Sequence, residues 1–280
     1  MKKSQNRWSR VFLYLFVFIT CNIILYPYFV MFTTAAKTDG EMYNGPDAAA
    51  LLPHVWQWSN FVEIWKAAPV FNYLLNSILI SSGATLLAIL CGIPAAYALS
   101  RMRFKGKGFF LGAVIMSQMF SPVVLLVGIY RLMTNLHMTD SLWGLILLNA
   151  AFNQAFAIWL LRGTFTSISP EMEQAAKIDG CNTIQSMVRV LLPMAAPGIV
   201  TALIFVFINA WNEYTIALTL INTEVLKPIT VGINKFYGFN MINWQYLFAT
   251  SLFATVPVII LFLMIEKHLA AGLTAGGVKG

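Results

Sequence analysis

The chain has 280 residues, of which 59% are hydrophobic and only 10% are charged. Soluble domains carry about 25% charged residues, so this composition excludes an ordinary soluble enzyme or binding module and favours a protein embedded in a bilayer. The formal net charge of +7 would suit nucleic acid only if the basic residues formed one surface, and their distribution argues against that.

Six apolar segments are long enough to cross a bilayer as helices, which takes roughly 20 residues. They are residues 11–32, 73–99, 109–130, 142–161, 197–221 and 246–265. The first follows basic residues, as in a signal peptide, but its apolar stretch of about 22 residues exceeds the 7–15 of a cleaved signal. The sequence therefore predicts an all-α, polytopic membrane protein with six retained transmembrane helices.

The basic residues are divided unequally between the two sides of these segments. Of the 18 Lys and Arg residues, 13 lie on the side of the termini and five on the other side. Cytoplasmic loops carry the excess of Lys and Arg, so the N and C termini and the loop 163–196 are predicted to be cytoplasmic. The positive charge marks topology rather than a nucleic-acid surface.

The outer loops differ in length. Residues 33–72 form a long exterior segment that contains Gly45-Pro46 and the pair Trp56 and Trp58, which we expect at the membrane interface. Residues 131–141 make a tight turn, and residues 222–245 form a loop of medium length. Three prolines within the predicted spans, Pro94, Pro122 and Pro257, are interpreted as packing kinks.

The loop 163–196 is the only sizeable polar, helix-forming interruption in the second half of the chain. Ser169 can cap a helix that begins at Pro170. Glu171 and Glu173 lie in its first turn, where the helix dipole favours anions. Gly180 suits a left-handed stop at its end.

A second short helix is predicted directly after this glycine. Asn182 or Thr183 can cap it, and it is expected to end at Leu192, before Pro193, because proline cannot donate a backbone hydrogen bond.

The first loop helix has a narrow face of small residues. Met172, Ala175 and Ala176 lie at positions i, i+3 and i+4. A helix lying on the membrane surface is the alternative, but such helices have a larger apolar face with basic residues opposite. The pattern therefore favours docking of another protein on this loop.

Several stretches of the sequence form a recognisable set. They are Glu173-Gln-Ala-Ala-Lys-Ile-Asp-Gly180 followed by Val190-Leu-Leu-Pro193, Asn76-Ser77, Ala95-Ala-Tyr-Ala-Leu99, Ala210-Trp-Asn-Glu-Tyr214 and the tail 271–280. The set resembles the permease subunits of binding-protein-dependent ABC importers, and the first stretch is similar to the EAA loop of sugar-importing members. The glutamate of that motif is Gln174 here, so the contact at this point is not a salt bridge, although the adjacent Glu173 could serve.

The resemblance implies a type I ABC importer permease fold, most similar to the maltose-type G-side subunit, in a bacterial cytoplasmic (inner) membrane. It implies three parts, which are residues 1–72 (first helix and exterior segment), 73–270 (permease core) and 271–280 (cytoplasmic tail). The tail would reach between the ATPases and the loop 222–245 towards the binding protein.

The resemblance also implies the partners, which are a second permease, two cytoplasmic ABC ATPases and an extracytoplasmic solute-binding protein that delivers a sugar or oligosaccharide. ATP and Mg²⁺ would bind the ATPases, and this chain would need no cofactor and perform no catalysis. The residues implied to couple the chain to the ATPases are Glu171, Glu173, Gln174, Ala175, Ala176, Asp179, Gly180, Leu192 and Pro193.

A few polar residues within the spans are candidates for the translocation pathway. Glu213 is the only acidic residue in a predicted span, and a charge at mid-bilayer costs on the order of 3 kcal/mol. Asn209 and Asn212 are predicted to share its helix face. The other candidates are Asn149, Asn153 and Gln118. These residues either line a path for a hydroxyl-rich cargo or form hydrogen bonds between helices.

Two other classes of function remain as alternatives. An ion-coupled secondary transporter could use Glu213 as its coupling carboxylate, but such folds often contain paired broken helices and internal repeats, which the sequence does not show. A membrane enzyme is disfavoured because His54, His137 and His268 are scattered and no HExxH or nucleotide-binding GxxxxGK[ST] occurs. Nor do the cysteines (Cys21, Cys91 and Cys181) have metal-site or disulfide spacing.

Overall fold

The computed structural model describes residues 7–43, 50–238 and 241–277. Nearly all of the regular structure in these residues is helical, and their only β pairing is an isolated bridge between Tyr237 and Ile242. The prediction of an all-α fold is confirmed. Four features of the sequence lie outside the described residues. These features are Lys2 and Lys3 before the first span, the Gly45-Pro46 pair, residues 239 and 240 of the loop 222–245, and residues 278–280 of the tail.

The helices follow one another along the chain with short connections. They are α1 (Arg7–Ala35), α2 (Asp39–Tyr43), α3 (Asn60–Ala67), α4 (Val70–Arg101), α5 (Lys107–Ser117), α6 (Pro122–Asn135), α7 (Leu142–Ser167), α8 (Pro170–Ile178), α9 (Thr183–Ser186), α10 (Leu192–Trp211), α11 (Thr215–Leu220), α12 (Ile229–Gly232) and α13 (Trp244–Gly277). A π-helical turn (Met187–Leu191) joins α9 to α10, and 3₁₀ turns occupy Glu224–Leu226 and Ile233–Phe236.

Among the described residues, five helical segments are long and apolar enough to cross a membrane. These are Arg10–Ala35, Val70–Arg101, Leu142–Ser167, Thr183–Trp211 and Trp244–Met264. The helices α5 and α6 make a sixth span only if they are counted together, because they are bent by 97° at their junction. Six spans were predicted, and five of them are single helices.

Pro122 breaks the third predicted span, so its interpretation as a packing kink is wrong. Proline has no N–H to donate, and its ring clashes with the carbonyl one turn earlier. The residue before a proline is also pushed out of helical geometry, and Ser121 is extended, with φ −67° and ψ 132°. Pro122 therefore begins α6 instead of continuing α5.

The fifth span differs from its prediction at both ends. The helix runs unbroken from Thr183 through Pro193 to Trp211, whereas we expected a stop before Pro193. The π-helical turn explains the difference. The N–H of Leu192 donates to the carbonyl of Met187, five residues back, and this widened turn lets the helix continue through the proline.

The chain divides into two compact units, one of residues 1–70 and 233–256, the other of residues 71–232 and 257–280. In the first unit, the described part of the segment 33–72 contains several buried polar contacts. The amide of Asn60 donates to the carbonyls of Ala35 and Lys37, both at 2.9 Å. Glu41 accepts from the N–H groups of His54 at 2.9 Å and Val55 at 3.0 Å. The sequence division at 72/73 and 270/271 stays a prediction.

In the second unit, α4, α7 and α10 pack through small residues. The fully buried small residues of this core are Ala88, Ala96, Ala157, Ala195 and Ala202, and Leu161, Phe165, Leu191 and Val206 are buried with them. Small side chains let membrane helices approach closely. A side chain on Gly198 of α10 would lie only 2.3 Å from the side chain of Thr164 on α7. This close packing holds together α7 and α10, which are the two helices that the polar loop connects.

Candidate functional site

The polar loop begins as the sequence predicts. Helix α8 starts at Pro170, and the hydroxyl of Ser169 accepts a hydrogen bond from the N–H of Glu171 at 3.3 Å. Glu171 and Glu173 lie in the first turn, where the helix dipole stabilises them. The predicted cap at Ser169 is confirmed.

The end of α8 is a left-handed turn at Gly180, as predicted. Gly180 has φ +89°. The N–H of Cys181 donates to the carbonyl of Ala176 at 3.0 Å, and that of Gly180 to the carbonyl of Lys177 at 3.1 Å. These two bonds form a Schellman motif, which satisfies carbonyls that a helix end leaves free.

The second loop helix is capped by Asn182 rather than Thr183. The side chain of Asn182 accepts from the N–H of Gln185 at 2.8 Å, and the side chain of Gln185 accepts from the N–H of Asn182 at 2.9 Å. This reciprocal capping box fixes the direction in which the chain leaves the Gly180 turn.

Most of α8 and its turn is exposed, including Glu171, Gln174, Ala175, Asp179 and Gly180. The predicted apolar face is divided, because Met172 and Ala175 are exposed whereas Ala176 is buried.

The largest exposed apolar side chains near the turn are ones that the sequence analysis missed. Ile178 is 86% exposed and Ile184 is 69% exposed. Neither belongs to the predicted face of Met172, Ala175 and Ala176, so that pattern does not indicate them. Leu192 is half-buried and Pro193 is exposed at the start of α10.

Glu173 does not belong to the exposed surface. It is only 4% exposed. Its carboxylate accepts hydrogen bonds from the hydroxyl of Tyr97, at 3.0 Å, and from the guanidinium of Arg101. The expectation that Glu173 could replace the missing carboxylate at Gln174 is therefore wrong, because its side chain is enclosed within the chain.

The pathway candidates on α7 make their hydrogen bonds within the helix. Asn149 and Asn153 are buried, and their amides donate to the carbonyls one turn earlier, at 3.0 and 2.8 Å. Gln118 lies at the break between α5 and α6, where its exposed amide donates to the carbonyl of Phe152 at 3.3 Å.

Glu213 lies beyond the end of α10, so the predicted common face with Asn209 and Asn212 is wrong. Asn209 and Asn212 are exposed. The carboxylate of Glu213 instead accepts from the N–H groups of Ile216 at 2.6 Å and Ala217 at 3.0 Å. It thereby caps α11, and the helix break at Trp211 is what turns it away from the asparagines.

The loop after α11 is tied to α4 by residues of the Asn76-Ser77 stretch. The amide of Asn76 donates to the carbonyls of Val225 at 2.8 Å and Lys227 at 3.1 Å. The hydroxyl of Ser77 accepts from the N–H of Ile229 at 2.8 Å. In the sequence, only the family resemblance points to Asn76 and Ser77. Their hydrogen bonds show that they hold this loop against α4.

Asp140 holds the same loop from the turn before α7. Its carboxylate accepts from the N–H groups of Asn222 and Thr223, both at 2.9 Å, and from the hydroxyl of Thr223. These hydrogen bonds hold the pKa of the Asp140 carboxyl below its usual value of 3.8, and the bond from the Thr223 hydroxyl has the largest effect. Asp140 adopts a left-handed backbone with φ 55°.

No group of three or more His, Cys, Asp or Glu residues within the described part of the chain could hold a metal ion.

Comparison with known proteins gives a consistent result. Residues 84–274 match the family described as "Binding-protein-dependent transport system inner membrane component". The chain is 34% identical to the probable ABC transporter permease protein YurM of Bacillus subtilis, over 99% of this chain and 92% of that protein. It is 33% identical to the sulfoquinovosyl glycerol transport system permease protein SmoH of Agrobacterium fabrum, over 94% of this chain and 93% of that protein.

A solved structure is also similar. It is a chain of a bacterial ABC transporter involved in the import of the acidic polysaccharide alginate, with a TM-score of 0.79 and 24% identity over 94% of this chain and 98% of that chain.

Proposed function

The chain belongs to the family of inner membrane components of binding-protein-dependent transport systems, and we propose that it is one permease subunit of an ATP-driven importer of a sugar or oligosaccharide. The type I ABC importer permease fold expected from the sequence is confirmed by the structural likeness. The chain is a transport subunit of the bacterial inner membrane rather than an enzyme.

The cargo class rests on two observations. The relative SmoH is named for transport of sulfoquinovosyl glycerol, and the stretch from Glu173 to Gly180 resembles the sugar-permease version of the loop. In the proposed complex, an extracytoplasmic binding protein delivers the sugar, a second permease forms the other half of the pathway, and two ATPases bind ATP and Mg²⁺. Both termini then lie on the ATPase side, as the distribution of basic residues predicts.

The proposal rests mainly on the exposure of helix α8. It is a short helix with a cap at one end and a Schellman turn at the other, so its conformation is set before any partner arrives. A preorganised surface lowers the entropy cost of binding.

We assign one set of exposed residues in α8 and its turn to contact with the ATPase. They are Glu171, Met172, Gln174, Ala175, Ile178, Asp179 and Gly180. Ala176 and Glu173 are buried and support the loop from within the chain. Leu192, which is half-buried, and Pro193, which is exposed, lie at the start of α10.

Exposed polar side chains within the predicted spans are the best candidates for contact with cargo. Asn209 and Asn212 are exposed at the end of α10, and Gln118 is exposed at the break in the third span. Irregular backbone at membrane depth is tolerated where it lines an aqueous cavity or is buried by protein. We propose that the Gln118 break faces the pathway or the partner permease. The internal hydrogen bonds of Glu213 favour a structural role over ion coupling.

Reconstitution into vesicles tests the proposal. The chain would be purified with its partner permease and ATPases, and uptake of labelled sugar would be measured with the cognate binding protein outside. We expect uptake that requires ATP on the ATPase side and ATP hydrolysis that the loaded binding protein stimulates. Vesicles containing this chain alone serve as the control under proton and sodium gradients. Gradient-driven uptake by the chain alone would establish a secondary transporter and refute the proposal.

A further inference from the structure

A buried polar cluster ties the docking helix to the end of α4. Its members are Tyr97, Arg101 and Glu173. Tyr97 and Glu173 are 5% and 4% exposed, and the side chain of Arg101 is 11% exposed. Tyr97 and Arg101 are one turn apart on α4, so both reach the same carboxylate.

The cluster also holds the segments on either side of α8. The guanidinium of Arg101 donates to the carbonyl of Ile168 at 2.8 Å, in the connection that precedes α8. The hydroxyl of the fully buried Ser186, at the end of α9, lies 3.5 Å from the carbonyl oxygen of Glu173, at the limit of a hydrogen bond. The guanidinium of Arg101 therefore connects the end of α4 both to Glu173 in α8 and to the connection that precedes α8.

The charges are placed where helix dipoles favour them. Glu173 is in the first turn of α8, and Arg101 is the last residue of α4. A buried ion pair contributes little net stability relative to apolar residues, because both ions lose their hydration. Its benefit is orientation, since several directional hydrogen bonds allow only one arrangement of the two helices.

The peptide chain alone does not provide this orientation. Helix α8 is joined covalently only to α7 and, through the Gly180 turn, to α9. A side chain at Gly180 would meet no atom within 4 Å beyond its chain neighbours, so the space beside this residue is open. Helix α4 is distant in sequence, and the hydrogen bonds of the cluster are what fasten α8 to it.

We propose that Glu173 is a positioning residue, which fastens the docking helix to α4 so that a displacement of α8 moves α4 directly. This inference rests on the proposed docking of α8 onto an ATPase. It reassigns Glu173 from a contact with the ATPase to a mechanical link inside the permease.

The link is tested first in the full chain without partners. In a background with Cys21, Cys91 and Cys181 changed to Ser, spin labels would be placed at Lys105→Cys, just beyond α4, and at Lys177→Cys on α8. Both positions are exposed. Double electron–electron resonance should give one narrow distance for the parent. We expect Glu173→Gln to broaden that distribution, and Arg103→Gln, an exposed control near Arg101, to leave it unchanged.

The second measurement is the amount of sugar taken up per ATP hydrolysed by the reconstituted complex. Coupling between sites typically corresponds to 5–150-fold effects, and we expect Glu173→Gln to lower this ratio by about tenfold while ATP hydrolysis changes less than about twofold. Tyr97→Phe removes one hydrogen bond and should give a smaller loss. The double variant Glu173→Gln with Arg101→Gln should lose less than the two single losses combined, because it leaves no unpaired buried charge.

The outcomes are distinguishable. Unchanged distances and an unchanged ratio in both Glu173→Gln and Tyr97→Phe would overturn the inference, even if Glu173→Gln lowers thermal stability. If Glu173→Gln fails to fold, Tyr97→Phe decides by the same two measurements. Absence of ATP-driven uptake by the unaltered complex would instead refute the proposed function.

Discussion

Substitution of Gly180 tests whether the left-handed turn orients the docking helix. With φ at +89°, any residue with a Cβ is strained there, by roughly 1–2 kcal/mol for an L residue in the left-handed region. That energy lowers the population of the closed turn by about 5–30-fold. Since no heavy atom lies within 4 Å of an added Cβ, Gly180→Ala and Gly180→Leu should be strained equally in the isolated chain. Gly180→Asn should be strained less, because Asn tolerates this conformation.

Hydrogen exchange and coupled transport measure the two consequences separately. Exchange of the Cys181 amide, which donates across the turn, should accelerate equally in Gly180→Ala and Gly180→Leu and least in Gly180→Asn. In the reconstituted complex, sugar uptake per ATP should fall in the same order, with an additional loss for Gly180→Leu where the ATPase approaches the turn. Uptake per ATP equal to the parent in Gly180→Leu would refute the docking role. A loss for Gly180→Asn as large as that for Gly180→Leu would refute the conformational reasoning.

Three further predictions address single side chains. Glu213→Gln should destabilise the chain by about 1–3 kcal/mol, because one amide oxygen cannot replace two carboxylate oxygens that cap α11; normal thermal unfolding with lost uptake would point to the pathway instead. For Asp140, the lowered pKa contributes stability that is present above the unfolded value of 3.8 and is lost as the pH falls through the lower folded value. The melting temperature of Asp140→Asn should therefore lie below that of the parent at pH 7, and the part of this difference due to the charge should shrink as the pH falls below 3.8; a difference that is constant with pH would contradict this cause. Gln174→Glu should leave uptake per ATP within about twofold, since the side chain is exposed and the family's motif has glutamate there; a loss beyond about fivefold would show that the docking partner rejects a negative charge.

Local features were predictable from the sequence wherever neighbouring residues alone determine them. The Ser169 cap, the Gly180 turn and the Asn182 cap follow from which backbone groups a helix end leaves unpaired, and all three occur as expected. The existence of five long apolar helices follows from apolar length, although the fifth begins and ends earlier than predicted. These features need no knowledge of the rest of the fold.

The effects of Pro122 and Pro193 on their helices were predicted wrongly, because the effect of a proline depends on the helical turn in which it lies. Pro122 ends one helix and begins another at 97°, whereas Pro193 lies inside a continuous helix. The difference comes from the π-helical turn before Pro193, which no pattern of apolar residues indicates.

What the sequence by itself determined is the class of protein, the presence of its long apolar helices and that of a capped, polar loop, since apolar length, charge and cap chemistry act over short stretches of chain. Only the tertiary structure decided which loop residues face outwards. Glu173 and Gln174 are neighbours in the sequence, yet one is enclosed by Tyr97 and Arg101 and the other is exposed. That distinction depends on α4, more than 70 residues earlier in the chain, and a contact over such a separation exists only once the helices have packed.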